Sequence, residues 1–176
     1  MADPEVLAEG RHLRLVRRDA WEYAERRAAI AVVVIVAITD DGRLVLVEQY
    51  RKPVERTVIE LPAGLVGDRP GDADEDLWSA ARRELWEETG YEAQALEYLA
   101  EGPSSAGLTS EVVTFLRAVG LQKVGAGGGD EDEAITVHEV ALGEAGSCLN
   151  AMAQRGCLID PKVYAGLYLI GQRRET

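Results

Sequence analysis

Cysteine and histidine are scarce in this sequence. Its 176 residues include two cysteines, Cys148 and Cys157, and two histidines, His12 and His138. A structural zinc site needs four such ligands at short, regular spacings, and these four residues do not show that spacing. The sequence therefore excludes a zinc-binding module, and we expect both cysteines to be reduced thiols in the core.

Long apolar runs and a basic leader are also absent. The longest apolar run, residues 28–38, falls short of the roughly 18 residues that a membrane span needs. The segment 1–6 lacks the basic stretch followed by an apolar stretch that marks a secretory signal. We therefore expect no membrane partner and a cytoplasmic location.

Positive charge is the third shortage. The chain has 19 lysines and arginines against 31 aspartates and glutamates, which gives a net charge of -12. Such a charge repels polyanions, so it argues against a nucleic-acid partner bound through a basic face. Phosphates are negatively charged as well, so a protein of this charge that acts on them needs metal ions between the protein and its substrate.

What the sequence does have is enough apolar material for one core, because 47% of its residues are hydrophobic. Alternating and β-branched segments predict strands at 11–18, 21–27, 28–39, 43–50, 56–60, 91–100, 112–119 and 135–140. A turn at Asp40–Gly42 predicts that the third and fourth of these form a buried hairpin, and residues 64–75 are predicted to be a loop.

Three helices are predicted as well. The first starts at an N-cap, Asp74, and runs to Thr89, where Gly90 supplies a stop. The other two cover about 143–154 and 162–173. Strands interspersed with helices predict an α/β fold, a sandwich built around mixed β-sheet.

The first predicted helix carries an unusual cluster of acids. Glu84, Glu87 and Glu88 fall within about 100° of one another on one helix face. Clustered carboxylates repel, and a divalent cation relieves the repulsion. Oxygen ligands without nearby cysteine or histidine select Mg²⁺, or Mn²⁺. The alternative is a solvated acidic helix end with Arg82 and Arg83 in surface ion pairs.

The segment 75–91 resembles the Nudix box, Gly-x5-Glu-x7-Arg-Glu-U-x-Glu-Glu-x-Gly-U with U a bulky apolar residue. Every position from Glu75 onward matches. The box glycine should stand six positions before Glu75, where Arg69 lies, whereas Gly64 is eleven positions away. We interpret the difference as a five-residue insertion in a surface loop, which leaves the helix undisturbed. The chain therefore resembles the Nudix hydrolases.

The resemblance extends over most of residues 21–140. The stretches 47–51 and 60–64 look like those that precede the box in ADP-ribose and GDP-mannose pyrophosphatases. The stretch 21–26 looks like the Trp-Glu-x-x-x-Arg strand of their N-terminal β arm. The resemblance implies an arm over residues 1–27, exchanged across a homodimer, and a hydrolase domain over 28–176. It also implies that Trp21 stacks on the base with Arg26 nearby, although a tryptophan near a strand start more often simply packs.

Other residues are candidates for substrate binding. Arg51 is either a solvated strand-end arginine or a fork-shaped donor to the diphosphate, and the resemblance favours the second. It also implies a substrate contact for Glu60. The segment 105–111 resembles the Ser-Pro-Gly-x-Ser/Thr-x-Glu loop of the ADP-ribose enzymes. The resemblance implies that Glu111 of this chain touches the distal ribose. Ala106 replaces the proline associated with ADP-ribose specificity, so nucleotide sugars stay open as substrates.

Five residues, 125–129, are rich in glycine and precede the acidic run 130–133. Such composition is typical of a surface loop with solvated charges. In the ADP-ribose enzymes the equivalent loop closes on the substrate and delivers a glutamate as general base. The resemblance therefore implies Glu131 as the base, with Glu133 as the second choice, while Glu87 of the box helix is the alternative.

The function expected from these features is Mg²⁺-dependent hydrolysis of a pyrophosphate bond in a nucleoside diphosphate derivative. Glu84, Glu87, Glu88 and the carbonyl of Ala63 hold the metal, and Arg83 braces the glutamates. ADP-ribose, cut to AMP and ribose 5-phosphate, is the leading substrate, with GDP-mannose or another nucleotide sugar as the alternative. A non-catalytic nucleotide-sensing module is another alternative, but such modules typically lack box glutamates, and all of them are present here. A protein that serves only interaction is a third alternative, and it would leave the acidic cluster without a function.

Overall fold

The computed structural model describes residues 3–28, 31–69, 71, 74–129 and 134–172. Within these ranges the strands are β1 (Glu5–Glu9), β2 (Leu13–Arg18), β3 (Trp21–Arg26), β4 (Ala31–Ala37), β5 (Arg43–Arg51), β6 (Arg56–Glu60), β7 (Ala63–Val66), β8 (Tyr91–Pro103), β9 (Val112–Lys123), β10 (Thr136–Ala141) and β11 (Leu158–Ile159). The helices are α1 (Leu77–Thr89), α2 (Ala145–Gln154) and α3 (Pro161–Gln172). No described helix is long and apolar enough to cross a membrane.

The body of the protein contains two four-stranded mixed sheets. One has the order β7-β4-β9-β8 and the other β10-β5-β6-β11. Each contains one parallel pair, β4 with β9 and β6 with β11, among antiparallel pairs. Helix α1 packs on β7, β4 and β8, whereas α2 and α3 pack on β10, β11, β4 and β6. The predicted α/β sandwich around mixed sheet is confirmed.

Strand β4 lies between two hydrophobic clusters. Val33 and Ile35 belong to the cluster that includes α1, and Val34 and Val36 belong to the cluster that includes α2 and α3. All four are fully buried, and each such side chain stabilises the fold by roughly 1.5–3 kcal/mol. Burial on both faces explains why this strand has a continuous apolar sequence rather than an alternating one.

The predicted hairpin of β4 and β5 is wrong. The turn itself forms, because the Gly42 amide donates to the Thr39 carbonyl and the Thr39 amide to the Arg43 carbonyl. Beyond one bridge between Ile38 and Leu44, however, the two strands enter different sheets. A strand buried on both faces needs partners within its own layer, and β7 and β9 fill those places on either side of β4.

Two local predictions before α1 are also corrected. The start of the predicted loop 64–75 is instead part of β7, which pairs with β4. The N-cap of α1 is Asp76 rather than Asp74, because the Asp76 carboxylate accepts hydrogen bonds from the Trp78 and Ser79 amides. The helix ends as predicted at Gly90, whose φ of 71° is left-handed.

The N-terminal strands form a separate sheet in the order β1-β2-β3, and β1 was not predicted. Val16 is its fully buried residue among those described, whereas its exposed large apolar residues are Val6, Leu7, Leu13, Leu15 and Trp21. Strand β3 reaches the body through main-chain bonds from the Ala24 amide to the Leu108 carbonyl and from the Ser110 amide to the Ala24 carbonyl. This sheet thus buries little within one chain.

Candidate active site

One cleft gathers most of the predicted site residues. It has a volume of about 400 Å³, which suits a small-molecule ligand. Its charged lining, among the described residues, comprises Arg26, Arg51, Arg69, Arg83, Lys162, Glu60, Asp68, Glu84, Glu87, Glu88 and Glu111. Ala63 also lines it. A cleft with acids and bases intermixed can hold cations and an anionic ligand together.

Helix α1 directs its glutamates into the cleft because its other face is fixed. Ala81 and Leu85 are fully buried in the cluster shared with β4, β8 and β9. Glu84 and Glu88 are four residues apart, so they share the helix face beside this buried one, and both line the cleft. Glu88 is itself 3% exposed, and its Oε2 accepts a 3.1 Å hydrogen bond from the Ala63 amide.

Arg83 ties the start of the box to its end. Its Nε and Nη2 donate to the two carboxylate oxygens of Glu75 at 2.9 and 3.0 Å. Its Nη1 lies 2.7 Å from Glu84 Oε1 and 3.4 Å from Glu87 Oε2, and its Nη2 also donates to the Leu65 carbonyl. This two-pronged arrangement is the geometry expected of an arginine that braces carboxylates rather than one that binds substrate.

Glu84 is pressed against the backbone of β7. A Cβ built on Gly64 would lie 1.9 Å from the Glu84 carboxyl carbon, so a side chain there would displace the Glu84 carboxylate. A glycine at this position fits the five-residue insertion inferred between Gly64 and Glu75. Burial, only partly opposed by Arg83, raises the pKa of Glu84 to about 7.

The box carboxylates fit a divalent cation by chemistry, although each is directed at its own donor. No three histidine, cysteine, aspartate or glutamate side chains of the described residues form a compact metal cluster. Glu84 pairs with Arg83, Glu87 with Arg69 and Glu88 with the Ala63 amide. Like charges repel, so the acids turn to separate partners. A buried carboxylate with a raised pKa beside two more carboxylates is a hard-oxygen donor set that suits Mg²⁺.

Two ion pairs also line the cleft. Arg51 Nε donates to Glu60 Oε2 at 2.7 Å, and Glu60 is 7% exposed. Arg26 Nε donates to Glu111 Oε2 at 2.6 Å, which joins the N-terminal sheet to the loop before β9. Each arginine is held by a glutamate and lines the cleft, where its guanidinium can bind an anion.

Three predicted site residues are not placed in the cleft. Trp21 is 64% exposed and is absent from the described lining of the cleft, although Arg26 of the same strand is present. Glu131 and Glu133, the candidate bases, lie outside the described residues. Three charged lining residues were not predicted as site residues, Asp68, Arg69 and Lys162. The position of Arg69 depends on the loop insertion, and no pattern in the sequence marks any of the three.

The glycine-rich segment is a cap on α1 over the residues that the structure describes. The amides of Gly128 and Gly129 donate to the carbonyls of Glu88 and Glu87, and those of Val124 and Gly125 donate to the Gly90 carbonyl. Lys123 Nζ donates to the Thr89 carbonyl, which places a positive charge at the negative end of the helix. The composition of the segment is typical of a surface loop, and the amides of its described part are hydrogen-bonded to the end of the helix that carries the glutamates.

Gly127→Ala is expected to destabilise the protein by more than the usual cost of a left-handed alanine. Gly127 has a φ of 70°, and an added Cβ would lie 2.4 Å from the Thr89 carbonyl carbon. Gly42→Ala is the matched control, because Gly42 has a φ of 80° but no atom within 4 Å of the added Cβ. Urea unfolding should give about 1 kcal/mol for the control and more for Gly127→Ala. Equal losses would show that the contact with α1 contributes nothing.

Comparison with known proteins identifies a matching family and several similar proteins. The NUDIX domain model matches residues 28–159. An ADP-ribose pyrophosphatase of Mycobacterium tuberculosis is 34% identical over 152 residues, which is 82% of this chain and 70% of that protein. A methanol dehydrogenase activator of Bacillus methanolicus is 42% identical over 114 residues, 64% of this chain. The match spans only 59% of the length of that relative.

A GDP-mannose pyrophosphatase of Yersinia enterocolitica is also similar, at 34% identity over 60% of this chain and 56% of that protein. Among solved structures, one described as an ADP compounds hydrolase superposes with a TM-score of 0.71 at 24% identity, and the match covers 98% of this chain and 92% of that one. At that identity the structural likeness shows the fold.

Proposed function

We propose that this chain, which belongs to the NUDIX domain family, hydrolyses the pyrophosphate bond of a nucleoside diphosphate derivative with Mg²⁺ as cofactor. The observation that carries the proposal is the cleft itself. The box glutamates and the paired arginines Arg51 and Arg26 line the same cleft. A diphosphate needs both, because its charge must be offset and its orientation fixed before water can attack.

The metal-binding residues follow from the donor set. Glu84, Glu87, Glu88 and the carbonyl of Ala63 would hold Mg²⁺, which when bound offsets phosphate charge and acidifies a water molecule. Arg83 keeps Glu84 and Glu87 in place through its bidentate anchor on Glu75. The chain itself thus supplies a helix that is fixed against the core and a fixed counter-charge beside the ligands.

Other residues of the same cleft would bind the substrate. Arg51, held by Glu60, offers a fork-shaped donor to the diphosphate, and Glu60 shapes that contact. Glu111, which lines the cleft and pairs with Arg26, would accept from a hydroxyl of the distal sugar. A glutamate after the glycine-rich segment, Glu131 or else Glu133, serves as general base. We assign it there because Glu87 Oε2 is shared by two arginines.

ADP-ribose is the leading substrate, because the 34% identical M. tuberculosis relative is an ADP-ribose pyrophosphatase. GDP-mannose is the second candidate, on two observations. A GDP-mannose pyrophosphatase is among the relatives, and Ala106 stands where the ADP-ribose enzymes have proline. Hydrolysis of ADP-ribose gives AMP and ribose 5-phosphate, and hydrolysis of GDP-mannose gives GMP and mannose 1-phosphate.

A substrate panel tests this function. The purified chain is incubated with ADP-ribose, GDP-mannose and ADP-glucose, each with Mg²⁺ or with EDTA, and the nucleoside monophosphate released is measured. We expect release of nucleoside monophosphate with Mg²⁺ but not with EDTA, and the fastest release from ADP-ribose. A preference for GDP-mannose would select the second candidate. No release from any compound, by protein that binds divalent cation, would contradict the proposed function and favour a nucleotide-sensing module.

We further propose that residues 1–27 form an arm that packs on a second copy of the chain. Val6, Leu13 and Leu15 are 46%, 48% and 41% exposed on a three-stranded sheet that has little cover of its own. Such apolar exposure is destabilising unless another surface covers it. Trp21, which is exposed and does not line the described cleft of its own chain, would then be available to the base bound in the partner.

Light scattering is expected to show a homodimer at micromolar concentration. Leu13→Glu together with Leu15→Glu should shift the mass toward the monomer, because two charges cannot be buried in an apolar interface. Glu9→Lys on the same sheet, where Glu9 is already exposed, is the control and should stay dimeric. A fully active wild-type monomer would contradict the arm exchange.

We place the protein in the cytoplasm. The structure leaves Cys148 and Cys157 as free thiols, which suits a reducing compartment. Fractionation of the source cells checks this assignment.

A further inference from the structure

Arg69 belongs to the loop that the five-residue insertion lengthens. It lies between β7 and α1, six residues before Glu75, and it lines the cleft. The loop is anchored nearby, because the Gly67 amide donates to Glu75 Oε2 at 3.2 Å. An arginine at this point is a feature of this chain and is not required by the box.

The side chain of Arg69 pairs with one of the proposed metal ligands. Its Nη2 lies 2.5 Å from Glu87 Oε2, the same oxygen that Arg83 Nη1 approaches at 3.4 Å. The Arg69 contact is therefore the shorter of the two. A divalent cation that uses this oxygen has to compete with the Arg69 guanidinium for it.

Arg69 and Arg83 differ in how firmly they are held. Arg83 is 15% exposed and is anchored on Glu75, Glu84 and the Leu65 carbonyl, so it is fixed. Arg69 is 40% exposed, and Glu87 is its hydrogen-bond partner among the described contacts. A long, half-exposed side chain with one hydrogen-bond partner can change that partner at small cost, whereas Arg83 cannot.

We propose that Arg69 is an exchangeable counter-ion: it neutralises Glu87 when no metal is bound and moves to the substrate diphosphate when metal takes its place on Glu87. The inference rests on the proposed metal site and adds to it a substrate-binding residue. The exchange keeps the charge of the cleft balanced in both states, because the metal replaces the guanidinium on Glu87 and the released guanidinium can then pair with a phosphate.

The first test is metal binding without substrate. Mn²⁺ is titrated into the metal-free wild type, Arg69→Gln and Arg82→Gln, and bound Mn²⁺ is followed by electron paramagnetic resonance. Arg69→Gln removes the competitor, so the Kd for Mn²⁺ should fall about two- to fivefold, as for loss of a half-exposed ion pair. Arg82 donates to the Ala93 carbonyl and is outside the cleft lining, so Arg82→Gln should leave the Kd unchanged.

The second test is steady-state kinetics at saturating Mg²⁺. Arg69→Gln should raise the KM for the best compound of the panel about tenfold or more, because a charge-assisted hydrogen bond to phosphate is lost. Arg69→Lys keeps the positive charge but lacks the fork-shaped guanidinium, so its KM should lie between those of wild type and Arg69→Gln. Opposite effects on metal and substrate affinity are the signature of exchange, since a merely structural residue would weaken both.

The outcomes separate the two proposals. Unchanged or weaker Mn²⁺ binding in Arg69→Gln overturns the counter-ion role, and an unchanged KM overturns the phosphate contact. Wild-type protein that binds Mn²⁺ but cleaves nothing in the panel contradicts the proposed function. In that case the metal titration, together with ADP-ribose binding by the metal-loaded wild type and Arg69→Gln, still decides the role of Arg69.

Discussion

Glu84→Gln is expected to lower kcat by about 10³-fold while the protein stays folded. The proposed metal contributes several kcal/mol to the reaction, and each 1.36 kcal/mol is a factor of ten in rate. Glu84 is the box ligand pressed against β7, so its loss cannot be offset by a small shift of the helix. Glu88→Gln should have a similar effect. Steady-state kinetics with saturating Mg²⁺ measures both.

The same substitution is expected to change how stability depends on pH in EDTA. The pKa of Glu84 is raised to about 7 by burial, from an ordinary value of 4.5. Between pH 4.5 and 7 the folded state keeps a proton that the unfolded state has lost, so the stabilisation decreases as pH rises through this window. The free energy of unfolding of Glu84→Gln, compared with that of wild type, should therefore be up to about 3 kcal/mol higher at pH 8 than at pH 4.

Exposed Glu92 provides the control, because Glu92→Gln should alter neither kcat nor the pH dependence of unfolding. Urea titrations at several pH values follow all three proteins. Near-normal kcat in Glu84→Gln at saturating Mg²⁺ would contradict the metal assignment. An unchanged pH profile would show instead that Arg83 keeps Glu84 ionised.

Glu131→Gln is expected to lower kcat by about 10²–10⁴-fold, with KM and Mn²⁺ affinity nearly unchanged, because a general base acts in the transition state alone. Glu133→Gln should show a smaller loss. The comparison variant is Glu87→Gln, which should weaken Mn²⁺ binding as well as rate, since Glu87 is a proposed ligand. Metal titration and kinetics on the same preparations separate the two roles.

A double variant, Glu131→Gln with Glu133→Gln, gives the decisive result. Near wild-type kcat in that protein would transfer the base to the box helix and leave the acidic run as solvated charge. A loss of the expected size would fit an acid delivered from a segment whose preceding glycines are bonded to the carbonyls of Glu87 and Glu88.

The sequence by itself determined the family and most of the elements. The spacing of Glu84, Glu87 and Glu88 is a local property of a helix, so it could be read from the residues alone. The match of residues 28–159 to the NUDIX domain confirms that identification. Strand β6 and the end of α1 at Gly90 were also predicted correctly, because both depend on short-range signals.

Only the tertiary structure decided which strands pair and which charges meet. A continuous apolar run does not say whether its neighbour lies in its own layer, so β4 and β5 were paired wrongly. The glycines after β9 resembled a hinge because their composition is that of a loop, yet their amides cap α1. The contact of Arg69 with Glu87 joins residues 18 apart through an inserted loop. No sequence period encodes such a contact, because it is made by packing in three dimensions.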